Sequence, residues 1–350
     1  MSKIKKAKYF LLSIVVWLII LIAFYTSFFL WIGNREIEIS HSYKQFLLQH
    51  TVGNRLIIES GSNSHHGINS NMLEDQLGIL TINLADNGSY PLRNKLLRLK
   101  KYARKGDIVI LPLEWRYYTH DVTPDIFKEN LFGKLNFYYF PSDSLFAEIK
   151  NIWNRPFSTF INAVSFQRKL AKRRSINLNY YLERFAKKER GEYLYHGPLP
   201  LAEDGTKTLT CDQYILASQL QYGFMISQIF KDNLKLAKDL TNKGITVIFT
   251  WPSVSGKDCY GSKYKKDFDL FIIKIKKLLK ENGFRTIGSP YDSRFKKRYM
   301  LNTFFHLIPE ARDVRTQRLI NEIKKLHLPQ LSSNINKDSR YFLDINMIKH

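Results

Sequence analysis

Apolar positions along this chain fall into runs of different length and period, and their order implies an architecture. Residues 9–32 form an apolar run without a single charge. At roughly 20 residues or more it is long enough to cross a bilayer core and longer than the apolar part of a cleavable signal. Much shorter runs at 56–58, 79–84, 108–113, 244–250 and 284–287 have strand length, and 108–113 is nearly continuous, as in a strand covered on both faces. Helical periodicity occupies 68–77, 92–103, 213–242 and 267–282, and Pro309-Glu310 opens a last helix. Strands alternating with helices predict a central parallel sheet with right-handed crossovers, a three-layer α/β sandwich.

From about 119 to 210 the alternation disappears. The stretch is first aromatic (Phe127, Phe132, Phe137) and then basic (Arg168, Lys172, Arg184, Lys188, Arg190). It reads as a mostly helical insertion whose basic face is either simply solvated or holds an anionic glycan or lipid headgroups. The expected organisation is a cytoplasmic tail (1–8), a transmembrane anchor (9–32), a polar stem (33–52), an α/β domain (53–330) with the insertion, and a tail (331–350). Lys3, Lys5, Lys6 and Lys8 precede the apolar run, which puts the amino terminus inside and the rest outside the cytoplasmic membrane. No small-x-small cleavage site follows, and an uncleaved or unusual signal peptide is the alternative.

Composition narrows the partners. A chain of 350 residues with 44% hydrophobic and 24% charged positions can bury a full core. Its net charge of +23, from 54 basic and 31 acidic residues, favours an acidic partner. Export counts against nucleic acid and leaves anionic lipid or an acidic polymer. Cys211 and Cys259 are free to be bridged outside the cell or to remain separate thiols. His65 and His66 are adjacent, and no Cys/His cluster has metal-ligand spacing, so no metal or other cofactor is expected.

In an open parallel sheet the site lies outside the carboxyl ends of the strands, where Ser62, Gly88, Glu114, Trp251 and His306 all fall. Gly61 permits a tight strand-to-helix turn, and Ser62 on it is either a nucleophile or the N-cap of the helix that follows.

The order Gly61-Ser62-Asn63-Ser64-x-x-Gly67-Ile68 resembles the first block of the SGNH (GDSL-type) hydrolase superfamily, especially its membrane-tethered branch in bacterial cell-surface polysaccharide acylation. Asn83 to Tyr90 is similar to the second block, and Asn302-Thr303-Phe304-Phe305-His306-Leu307 to the last. The resemblance covers roughly 53–118 and 240–325. It implies a flavodoxin-like sheet, Ser62 as nucleophile, His306 as base, and the N–H groups of Ser62 and Gly88 as oxyanion donors. Two positions depart from the family pattern. Asn302 stands where the family has an Asp that orients the base, with Asp292 the nearest acidic substitute upstream, and Glu114 stands where an Asn would serve the oxyanion. The resemblance implies an extracytoplasmic O-acyltransferase that acts on a cell-surface polysaccharide, with a multispanning membrane-bound O-acyltransferase as partner. The departures favour a catalytically silent glycan-binding relative, and a plain exported esterase is the third reading.

Overall fold

A computed structural model describes residues 3–33, 39–120, 144–146, 153, 178–192, 223–256, 264–301 and 303–331. Helix α1 (Lys3–Gly33) carries a largely exposed apolar span, Lys5–Phe28, which Trp153 touches at Tyr25 and Thr26. It is one N-terminal apolar helix of the kind that serves as an anchor or as a signal sequence.

The domain is built on a five-stranded parallel sheet: β1 (Arg55–Ile58), β2 (Leu80–Asn83), β3 (Ile108–Pro112), β4 (Thr246–Thr250) and β6 (Arg285–Thr286), in the order β2-β1-β3-β4-β6. This is the flavodoxin-like order. Strand β5 (Val254–Ser255) pairs in parallel with β7 (Arg294–Phe295) as a separate two-stranded piece.

Alternation along each strand explains the three layers. Leu56, Ile58, Ile108, Ile110 and Ile248 point to one face, against α4 (Ser70–Leu77) and α10 (Pro309–Lys324). Ile57, Val109, Leu111, Val247 and Phe249 point to the other, against α5 (Leu92–Tyr102), α8 (Gln228–Asn242) and α9 (Lys265–Glu281). A strand buried on both faces has no room for alternating polarity, and β1 and β3 are buried at every position.

Three expectations need correction. Residues 39–50, expected as part of a polar stem, form α2 (Ile39–His50), whose Tyr43, Phe46, Leu47 and Leu48 are buried in the second of these cores. Its polar residues had hidden a helical apolar stripe. The helix expected from 213 begins at Gln228, where Ser227 caps it by accepting from the Phe230 N–H, and 223–227 is not helical; 213–222 lies outside the described residues. Of the basic insertion, α7 (Leu178–Ala186) is helical, but Arg190 is buried against Glu74 rather than solvated, and the Asn83 N–H of border strand β2 donates to the Arg190 carbonyl at 2.8 Å. Cys211 and Cys259 also lie outside the described residues.

Candidate functional site

The chain leaves β1 for β2 on one side and then crosses back over β1 to β3, so the loops after β1 and β3 diverge and open a crevice at their carboxyl ends. Ser62 sits there as the first residue of the short helix α3 (Ser62–His65). The N-cap of α3 is Gly61, with no side-chain cap, and α4 is capped by the Asn69 side chain, so Ser62 caps neither helix. Its half-buried hydroxyl has no hydrogen-bond partner among the described residues. By contrast Ser60 donates to the Pro112 carbonyl and Ser64 to Asn63 Oδ1.

Gly88 meets Ser62's turn directly. A Cβ on Gly61 would lie 2.8 Å from Gly88 Cα and 2.4 Å from Glu114 Oε1, and one on Gly88 would lie 2.1 Å from Glu114 Oε2. A side chain at Gly61 would meet the Gly88 backbone, and one at either glycine would displace the Glu114 carboxylate, which precedes α6 (Trp115–Thr119) and is wedged between them. Its Oε1 accepts the Asn63 N–H at 3.1 Å and Asn63 Nδ2 at 3.3 Å. The N–H groups of Ser62 and Gly88 make no hydrogen bond to a described residue. Two donors therefore stand unclaimed beside an unclaimed hydroxyl, with a carboxylate next to them.

His306 reaches the same crevice from a loop tied by the antiparallel bridge Met300–Leu307 and by Thr303 Oγ1, which accepts the N–H groups of Phe305 and His306. Its ring stacks on that of His66, 4.1 Å between centroids and 28° between planes, and the His66 N–H closes α3 on the Ser62 carbonyl. Burial lowers His306 to about 4, and burial followed by His306 lowers His66 to about 3. Both rings are neutral at pH 7 and able to accept a proton. The Ser62 hydroxyl makes no hydrogen bond to His306. Asn302 lies outside the described residues. Asp292 is exposed on the wall of a cavity of about 320 Å³ beside α10, its carboxylate without a hydrogen bond among the described residues.

Three supports of the site are not evident in the sequence. Buried Arg315 of α10 donates to the carbonyls of Asn63 (2.8 Å) and Trp251 (3.2 Å) and to Asn63 Oδ1 and Ser253 Oγ, which fixes the turn after Ser62. Burial lowers its guanidinium to about 9, while Glu114 opposes the shift. Beneath the turn, buried Lys95 and Arg98 of α5 face Glu59 and Asp86, with Arg98–Glu59 at 2.6 Å, and Lys95 also holds the Ser60 carbonyl at 2.8 Å. Lys44 of α2 is a fifth charge in this cluster. It bonds the Ala85 carbonyl and lies 3.4 Å from His65 Nδ1, linking the loop of Gly88 to α3. Burial lowers Lys44 to about 7, with Asp86 and Glu59 opposing and Arg98 and Lys95 reinforcing.

No family model and no curated protein matches the chain. Among solved structures, one from Bacteroides fragilis, provisionally described as an acylhydrolase, is similar at 10% identity and a TM-score of 0.34, over 80% of this chain and 91% of that one. The Bacillus subtilis protein YxiM is similar at 11% identity and a TM-score of 0.36, over 80% of this chain and 58% of that one. Neither likeness bears on activity.

Proposed function

We propose that the chain is a membrane-anchored, extracytoplasmic SGNH-like acyltransferase that transfers an acyl group, most simply acetyl, to a hydroxyl of a cell-surface polysaccharide through Ser62. One observation carries this reading: a serine hydroxyl at the switch point of the sheet that, like the flanking N–H groups of Ser62 and Gly88, has no hydrogen-bond partner among the described residues. Acyl transfer needs a nucleophile, a base and oxyanion donors in one place. In the first step Ser62 Oγ attacks the acyl carbonyl carbon, His306 takes the hydroxyl proton, the two N–H groups receive the oxygen's charge, and the donor's leaving group departs with the proton. In the second a sugar hydroxyl attacks the acyl-serine, gives its proton to His306, and leaves as the ester while the serine regains a proton. Catalytic hydrogen bonds are often long in unliganded sites and tighten in the complex, which accommodates the open Ser62–His306 geometry.

A second reading, a silent protein that binds an anionic glycan, draws on one observation, the Glu114 carboxylate beside the oxyanion donors. A serine-directed fluorophosphonate separates the two. The acyltransferase reading expects labelling that Ser62→Ala abolishes and that Ser60→Ala and Ser64→Ala leave intact. Complete absence of labelling on the wild type would establish the silent protein instead.

A further inference from the structure

The anchor joins the domain at the end that carries the site. Five residues, 34–38, connect α1 to α2, and a chain of that length spans at most about 20 Å. Helix α2 begins at the site end, where His41 lies 6.0 Å from the Tyr90 ring and Lys44 holds the Ala85 carbonyl, and it ends at the opposite end, where Arg55 holds the Leu48 carbonyl. If α1 spans the membrane, the site end of the domain is held within that reach of the bilayer.

The same end bears a surface suited to a bilayer. Helices α8 and α9 both start there: Ser227, which caps α8, donates its N–H to the Tyr118 carbonyl just beyond β3, and α9 follows β4 and β5. Phe224 packs its ring near those of Tyr264 and Phe271, which brings the two starts side by side. Around them Met225 is 79% exposed, Leu270 46% and Ile229 40%, and further along α9 Ile273 is 60% exposed. On α9 the inward face holds Phe268, Phe271, Ile272, Ile275 and Leu279. Its outward stripe reads Lys266, Leu270, Ile273, Lys277, at i, i+4, i+7 and i+11, with exposed Lys274 beside it. The only described ion pair on these three lysines is the exposed, 3.9 Å contact of Lys277 with Glu281. Apolar side chains framed by lysines match the boundary of an anionic bilayer, where the stems lie among acyl chains and the ammonium groups reach the headgroups. The net charge of +23 acts in the same direction.

We infer that the start of α8 and the outward stripe of α9 dock on anionic lipid and turn the Ser62 crevice toward the membrane surface. This goes beyond the acyl-transfer reading and rests only on its anchor. The test reconstitutes the full chain in nanodiscs of phosphatidylcholine alone or of phosphatidylcholine with phosphatidylglycerol, and measures residue by residue how fast a water-soluble N-hydroxysuccinimide ester acylates lysines. Lys266, Lys274 and Lys277 should react about fivefold more slowly in the anionic discs, and about 0.5 M salt should erase the difference. Lys105 and Lys243, at the opposite end, should react equally in both. Leu270→Ser with Ile273→Ser should weaken the protection without lowering the amount of chain held in the discs. Equal rates for the three lysines, or protection of Lys105 and Lys243 instead, would overturn the docking. Failure of the chain to remain in discs of either composition would mark failure of the anchor, and no outcome here depends on Ser62 being a live nucleophile.

Discussion

Two polar groupings at opposite ends of the sheet, the Arg55–Asp107 pair and the turn of Ser62, use their bonding capacity in opposite ways. At the amino end Arg55 directs its five N–H donors to Asp107, Leu48, Thr51 and Tyr102, and the two oxygens of Asp107 accept four bonds, from the Arg55 backbone and side chain and from the Arg104 N–H. Every capacity there is used. At the carboxyl end the Ser62 hydroxyl and the N–H groups of Ser62 and Gly88 remain without hydrogen-bond partners among the described residues. A saturated cluster can only hold the fold together, whereas an unsaturated one retains bonding capacity for a ligand or a transition state. The difference separates scaffold from candidate site without reference to any relative.

The largest test of that difference is at the saturated end. Asp107→Ala strands the buried Arg55 guanidinium and should cost about 3–5 kcal/mol, read as a shifted denaturation midpoint, while fluorophosphonate labelling per folded molecule stays unchanged. A loss below about 1 kcal/mol would show that the cluster is not a stabilising one.

A smaller effect belongs to the neutral histidines. His66 titrates near 3 in the folded chain against 6.5 for the free residue, so the unfolded state binds the extra proton between those values. Its contribution to stability is therefore full above pH 6.5 and is lost progressively as pH falls toward 3, about 2 kcal/mol by pH 5. The drop in stability from pH 7 to pH 5 should accordingly be about 2 kcal/mol smaller in His66→Gln. Equal drops in the two proteins would mean that His66 is protonated in the folded state.

The smallest expected change sharpens the unsaturated end. Glu114→Gln keeps an oxygen for the Asn63 N–H but removes the negative charge beside the oxyanion donors, and should speed labelling of Ser62 about tenfold. A slower reaction would instead give the carboxylate a constructive part in the chemistry.

Much of this arrangement is legible in the sequence, for reasons that single residues illustrate. The runs at 56–58 and 108–113 are strands because they are too short for helices and apolar at nearly every position. Ser62, Gly88 and Glu114 follow from their places just beyond those strands and β2. Lys44 and Arg315 escape such reading because each stands within an apolar stripe, Lys44 between Tyr43 and Leu47, Arg315 between Ala311 and Leu319 at intervals of four. A charge in such a stripe is a usable signal of buried function, but its partners, backbone carbonyls of distant turns, leave no trace in local pattern. The closeness of Gly61 and Gly88 to Glu114 is likewise a property of the assembled loops.

The contact between Asn83 and Arg190 bears on how this domain behaves in a crowd of its own copies. A parallel sheet exposes at each border a row of main-chain groups that invites another strand to continue it, the usual beginning of aggregation. Here the segment that carries Arg190 lies along β2 and takes up one of those groups, while the opposite border, β6, is only two residues long. A sheet closed off in this way offers little template for growth, and its copies can share a crowded surface without adding to one another.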